Sequence, residues 1–99
     1  MLNSKQRAIL RSEASHLDAI FQVGKGGVGG PMCASIRDAL EARELIKVSV
    51  LENADGSARE IAEQLAAAVD AEVVGVIGRK LVLYKRSEKE ANRKYSALL

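Results

Sequence analysis

Hydrophobic and polar positions along this chain alternate between a helical and a strand period. From Ser4 to Ser15, Gln6, Leu10 and Ala14, continued by Leu17, fall on one side of a helix, while Lys5 and Arg11 point elsewhere. Asn3 or Ser4 stands where a cap can accept from the free amides of its first turn. The short apolar run Ala19–Val23 predicts a strand covered on at least one face. A second helix opens with Gly30 as cap and Pro31 at the first helical position, where the missing N–H costs nothing. Its stripe is Met32, Ile36, Ala39, Leu40 and the stem of Arg43.

Leu45–Leu51 alternates, with Ile46, Val48 and Val50 on one face and Leu45, Lys47, Ser49 and Leu51 on the other. Glu52–Gly56 is a turn by composition. Ser57 with Glu60 forms a capping box for a third helix, whose stripe is Ala58, Ile61, Ala62, Leu65, Ala68 and Val69. Glu72–Ile77 and Lys80–Tyr84 read as two strands of a hairpin turning at Gly78-Arg79. In the second, Lys80, Val82 and Tyr84 face one way and Leu81 and Leu83 the other.

The order α-β-α-β-α-β-β predicts an α/β fold with a mixed four-stranded sheet packed with helices. Each strand–helix–strand unit implies parallel neighbours joined by a right-handed crossover, and the hairpin adds an antiparallel strand. Periodicity fades from Lys85 onward. The reading is therefore a domain over residues 1–86 and a charged tail, 87–99, in which Tyr95, Leu98 and Leu99 dock or fray.

Composition narrows the function classes. Ninety-nine residues, 47% hydrophobic and 28% charged, make one small globular domain rather than a disordered segment. No apolar run reaches the roughly 18 residues a membrane span needs, and the N-terminus lacks a secretory core. The single cysteine, Cys33, cannot form an internal disulfide, which fits a reducing cytoplasm. Formal net charge is only +2, yet residues 1–37 carry +3, residues 38–78 carry −6 and residues 79–99 carry +5. If the basic ends meet, one face of the molecule attracts polyanions.

The candidate chemistry sits at Gly24-Lys25-Gly26-Gly27, between the first strand and the second helix. Glycines let the backbone approach a ligand closely. The helix start beyond them offers unpaired N–H groups and a partial positive charge, and Lys25 adds a full charge. Together these suit a phosphate. An ordinary strand-to-helix turn is the competing reading. A Walker A loop would need a longer turn and a Lys-Ser/Thr after the last glycine, which this chain lacks.

Four segments make the chain resemble the CRM-domain (CRS1–YhbY) family, and in particular its stand-alone bacterial YhbY-like members. They are Leu10–Leu17, Val23–Val28, Ala39–Val48 and Val76–Arg86, in the family's order and at its spacing. The resemblance covers nearly the whole chain up to about Arg86. It implies a fold similar to the C-terminal domain of translation initiation factor three and a loop similar to the backbone-clamping GxxG loop of KH domains. It further implies binding to RNA, and for single-domain bacterial members an association with precursors of the large (50S) ribosomal subunit. Two departures stand out. Asp18-Ala19 replaces a Lys-Pro common in the family just before the first strand, and Gly29-Gly30-Pro31 replaces a Thr or Ser cap after the loop.

The RNA-contacting residues expected on this reading are Gly24, Lys25, Gly26 and Gly27. Arg11 and Lys5 on the first helix, Lys47 on the second strand, and Arg79, Lys80, Lys85 and Arg86 around the hairpin join them. Arg79, in the turn, is expected to reach outward. Glu44 is expected to be structural, pairing with a nearby base. His16 has no second His or Cys at ligand spacing, so no metal or cofactor is expected, and Cys33 reads as a small buried side chain more readily than as a nucleophile. With one Phe and no Trp, stacking platforms are scarce, so binding should rest on phosphates and shape. The expected protein is a monomeric, non-enzymatic RNA binder. The alternative is an adaptor that docks an acidic protein through the same basic face.

Overall fold

The computed structural model describes residues 1–99. Three helices and four strands follow in the expected order: α1 Ser4–Ala14, β1 Ala19–Val23, α2 Gly30–Arg43, β2 Leu45–Val50, α3 Ala58–Val69, β3 Glu72–Ile77 and β4 Lys80–Tyr84. Two single 3-10 turns, Glu90–Asn92 and Ser96–Leu98, complete the chain. Of the two expected caps for α1, Asn3 is the one used: it accepts from the Gln6 amide, and the Gln6 side chain, expected on the packed side, accepts in return from the Asn3 amide. Ser57 and Glu60 do the same for α3. The α2 cap is Gly29 rather than Gly30, with Pro31 in the first turn.

The sheet runs β1-β2-β4-β3. β1 and β2 are parallel neighbours as expected, but β2 and β3 are not neighbours. β4 folds back antiparallel between them, with Leu83 opposite both Ile46 on β2 and Val73 on β3. Burial explains the choice. Leu81, Val82, Leu83 and Tyr84 are all buried, so β4 carries apolar side chains on both faces and gains most from a central place. β3, interrupted by Gly75, takes the edge, with a register shift between Val73 and Gly75. β1, the other edge, shifts register between Ala19 and Phe21.

The sheet separates two cores. On one face Ile46, Val48, Val50, Leu81 and Leu83 pack with Ile36 and Leu40 of α2 and Ile61, Leu65 and Val69 of α3. Cys33 joins this core, replacing Met32 as the fully packed residue of the first turn of α2, while Ala68, expected in the α3 stripe, is exposed. On the other face Leu10 and Ala14 of α1 pack with Leu45, Val74, Val82 and Tyr84. Leu51 lies beyond the end of β2 and is exposed.

The segment after β4 is held down by two carboxylates from the end of α2. Glu44 is wholly buried and pairs with no base. Instead it accepts from the amides of Ser87, Tyr95 and Ser96, each at 2.9 Å, and from the Ser96 hydroxyl at 2.7 Å. Glu41 accepts from the Ser87 hydroxyl at 2.8 Å and from the amides of Glu88 and Lys89. Tyr95 is thereby buried in the second core. Burial pushes the Glu44 carboxyl up, but the four donors outweigh it and hold the group below its ordinary value of 4.5. Burial, and then the Glu44 charge, push the Tyr84 phenol above its ordinary 10.0.

Candidate nucleic-acid interface

The Gly24–Gly27 segment is a closed turn, with the Gly27 amide donating to the Gly24 carbonyl at 3.1 Å. Lys25 occupies its exposed second position. Gly26 has φ +99° and Gly27 φ +67°, conformations that L side chains rarely adopt. A Cβ added at Gly26, Gly27 or Gly30 would meet nothing within 4 Å, so the backbone here faces open space. α2 begins immediately beyond, and no side chain caps it. Its first amides therefore have no intrahelical partner, and the positive end of its dipole points toward the loop.

Two further segments meet the loop at this end of the sheet. The Leu51 amide donates to the Val23 carbonyl at 2.8 Å, closing β2 against the residue before Gly24. A Cβ at Gly24 would sit 3.3 Å from the Leu51 side chain and 3.3 Å from the Asn53 Oδ1, so Gly24 marks a close approach. Arg79 does not reach outward as expected. Its Nε donates to the Val50 carbonyl at 2.9 Å and its Nη2 to the Leu51 carbonyl. It stays on the surface, yet its guanidinium ties the hairpin turn to the end of β2 beside the loop. Glu52 and Asp55 are exposed on the same segment, and sequence reasoning had treated that segment only as a turn.

Next to the loop an open strip of sheet carries further charge. Lys80 pairs with Ser49, Ser49 with Gln22, and Lys47 lies two residues before Ser49 on the same face. α1 covers the other part of this face. The Arg11 stem lies over β3, its Cδ 3.1 Å from where a Gly75 Cβ would be. The missing side chain at Gly75 is thus what lets Arg11 lie flat. Arg7, Arg11 and Arg59 line one cleft along the β3 edge, and Glu63 shares it.

The remaining expected residues are elsewhere. β4 separates Lys80 from Lys85 by about 16 Å of strand. Lys85 Nζ donates to the Val69 carbonyl at 3.3 Å, satisfying the end of α3. Arg86 lines a hollow with Gln6 and Arg93 beyond the end of β4, and Lys5 is exposed in the first turn of α1. The expected set therefore divides into a loop-side group (Gly24 to Gly27 with Lys25, Arg79, Lys80), Lys47 further along the open strip opposite Ala19, Arg11 in the β3 cleft, and a remaining group away from the loop (Lys5, Lys85, Arg86). Cys33 is buried, and no three His, Cys, Asp or Glu side chains converge as a metal set.

The charge budget has an unusual form. The one ion pair within 4.0 Å joins the N-terminal ammonium to Glu72, at 3.9 Å. None of the 15 Lys and Arg side chains is so paired. Glu41, Glu44 and Glu60 accept mainly from backbone amides and hydroxyls instead. Cations and carboxylates alike are thus left without a charged partner, apart from that one pair. No helix is long and apolar enough to cross a membrane.

Residues 2–85 match the family model of the CRS1 / YhbY (CRM) domain. The chain is 52% identical over 88 residues to the "Probable RNA-binding protein YqeI" of Bacillus subtilis, covering 89% of this chain and 92% of that one. It is 36% identical over 91 residues to an "RNA-binding protein" of Haemophilus influenzae, covering 88% of each. The solution structure of SAV1595 from Staphylococcus aureus, described as "a putative RNA binding protein", superposes with TM-score 0.77 at 48% identity. That match covers 91% of this chain and 94% of the other.

Proposed function

Because the chain belongs to the CRS1 / YhbY (CRM) domain family, we propose that it is a non-enzymatic RNA-binding protein whose Gly24–Gly27 loop clamps the sugar–phosphate backbone of structured ribosomal RNA during assembly of the large (50S) subunit. The names of its relatives support the RNA part of this reading. The observation that carries the site is the loop itself. Two successive glycines with positive φ face open space, with Lys25 at the tip and an uncapped helix start behind. Backbone amides and a lysine are suited to a phosphate and carry little base information.

Lys47 and Lys80 extend the clamp along the open sheet strip. Arg79 positions the loop by tying the hairpin turn to the end of β2. Asp38 and Asp70, exposed on or at the end of the helices of the opposite face, keep polyanions off that side. Lys85 and Arg86, beyond the end of β4 away from the loop, are too far to share the same phosphates, and they and Lys5 on α1 contact RNA only where it wraps round the sheet.

Binding of wild type and Lys25→Glu to a structured fragment of large-subunit ribosomal RNA, followed across a salt series, tests this. The expected result is a steep salt slope for wild type and a loss of affinity in a folded variant. Equal binding by both would remove the loop from the interface. Failure of wild type to bind any RNA, together with capture of an acidic protein, would favour the adaptor reading.

A further inference from the structure

At the opposite end of β1 from the glycine loop lies a cleft of about 600 Å³, between the α1–β1 connection and the anchored C-terminal segment. Its volume falls in the range of small-molecule sites. Leu17 and Ile20 contribute accessible apolar surface to it, over a floor that includes the buried Leu45 and Tyr95. Ile20 is 40% exposed, and it lies where β1 shifts register against β2. The rim is cationic: Arg43, Lys47 and Lys94 line it, none of them paired with a carboxylate, and Lys94 Nζ stands 5.4 Å from the centre of the Tyr95 ring. Asp18 is the one acidic side chain there, beside the exposed His16.

An apolar interior with a cationic rim matches a nucleotide, whose flat base is apolar on its faces and whose phosphate is anionic. Lys47 decides which kind. It lines this cleft and also belongs to the strip that runs by Ser49, Gln22 and Lys80 to the glycine loop. A strand held at the loop can follow that strip straight to the cleft.

We propose that the cleft receives one unpaired nucleotide of the bound RNA, splayed out of its helix, with its base against Leu17 and Ile20 and its phosphates at Arg43 and Lys47. This rests on the RNA reading above and adds to it a preference for RNA with an unpaired position. Loops and bulges are the usual points at which proteins find unstacked bases.

The test compares an RNA hairpin carrying one bulged 2-aminopurine with the same hairpin fully paired. Wild type should bind the bulged form about tenfold more tightly and change the emission of the probe. Ala42→Trp fills the cleft from an exposed helix position without changing charge, and Ile20→Ser removes apolar surface from an exposed one. Both should bring the two hairpins to parity while leaving affinity for the paired form unchanged. Equal binding of the two hairpins by wild type, with both still weakened by Lys25→Glu, overturns the cleft proposal and leaves the RNA reading standing. Binding of neither hairpin by wild type overturns both. Free adenosine monophosphate binding as tightly as the bulged hairpin reassigns the cleft to a soluble nucleotide and overturns the proposal.

Discussion

Val50 and Arg79 hold each other reciprocally: the Val50 amide donates to the Arg79 carbonyl at 2.7 Å, and Arg79 Nε donates back to the Val50 carbonyl at 2.9 Å. The bond from Nη2 to Leu51 extends the clasp by one residue, and the Leu51 amide in turn closes on Val23. The hairpin turn, the end of β2 and the root of the glycine loop are therefore one connected unit. A charged residue that looks like a ligand contact is first a positioning residue.

Arg79→Ala should then cost about 1–2 kcal/mol of stability and weaken RNA binding through a looser loop. Arg79→Lys should recover little of either, because an ammonium on a flexible stem cannot span two adjacent carbonyls as the planar fork does. Urea unfolding and RNA titration on the same samples check this. A lysine variant equal to wild type in both would show that only the positive charge matters.

Loop shape and loop charge should separate in the salt dependence. Gly27→Ala forces a Cβ onto φ +67° and costs about 1–2 kcal/mol, with no clash to blame because the space is open. It should lower RNA affinity at every salt concentration and leave the slope unchanged. Lys25→Ala should instead make the slope of log K against log salt shallower by about 0.7–0.9, one phosphate's worth. Identical behaviour of the two variants would contradict a phosphate held jointly by backbone and lysine.

The buried Glu44 makes the C-terminal segment acid-sensitive. Its pKa, and that of Glu41, are lower in the folded protein than the ordinary 4.5. The unfolded chain therefore takes up protons first, and the stability from these groups is complete above about pH 4.5 and lost as pH falls through the depressed folded values. Glu44→Gln turns one accepting oxygen into a donor facing amides, and should cost roughly 3 kcal/mol at pH 7. Its stability should also respond less to pH below 4.5 than that of wild type. Amide exchange at Tyr95 and Ser96, read from pH 7 down to about pH 3, follows the release directly. Unchanged exchange in the variant would mean that Tyr95 packing alone anchors the segment.

Local signals explain what was legible. Asn3, Ser57, Glu60 and Pro31 act within one helical turn, so both side-chain-capped helices, and the start of α2 to within one residue, follow from neighbours in the chain. The strand order did not follow, because a hairpin strand can join at an edge or slip between two others. Only the doubled burial of β4 settles that, and Lys80 at its start hides the continuous apolar run. The role of Glu44 was invisible for a related reason: its donors are 43 to 52 residues away and are mostly backbone amides, which have no signature in sequence. Of the candidate site, the glycine turn and the Lys47–Lys80 strip come from adjacent or paired positions. The cleft at Ile20 depends on the folding back of residues 91–95.

The last consequence concerns the two carboxylates beside the loop. Leu51 and Asn53 pack on Gly24, which brings Glu52 and Asp55, both exposed and unpaired, to the end of the sheet that holds Lys25. An RNA phosphate seated at the loop sits within their field, and like charge there weakens binding and disfavours strands that approach from that side. Neutralising both, as Glu52→Gln with Asp55→Asn, should raise RNA affinity about two- to fivefold at roughly 50 mM salt, since the opposing field falls away. The gain should vanish near 1 M salt, where the screening length shrinks to about 3 Å. The same substitutions should leave stability within about 0.5 kcal/mol, because neither side chain makes a bond that the fold uses. A gain that survives high salt would point to a direct steric effect, and no gain at low salt would place the RNA on the Lys47 side of the loop, away from this segment.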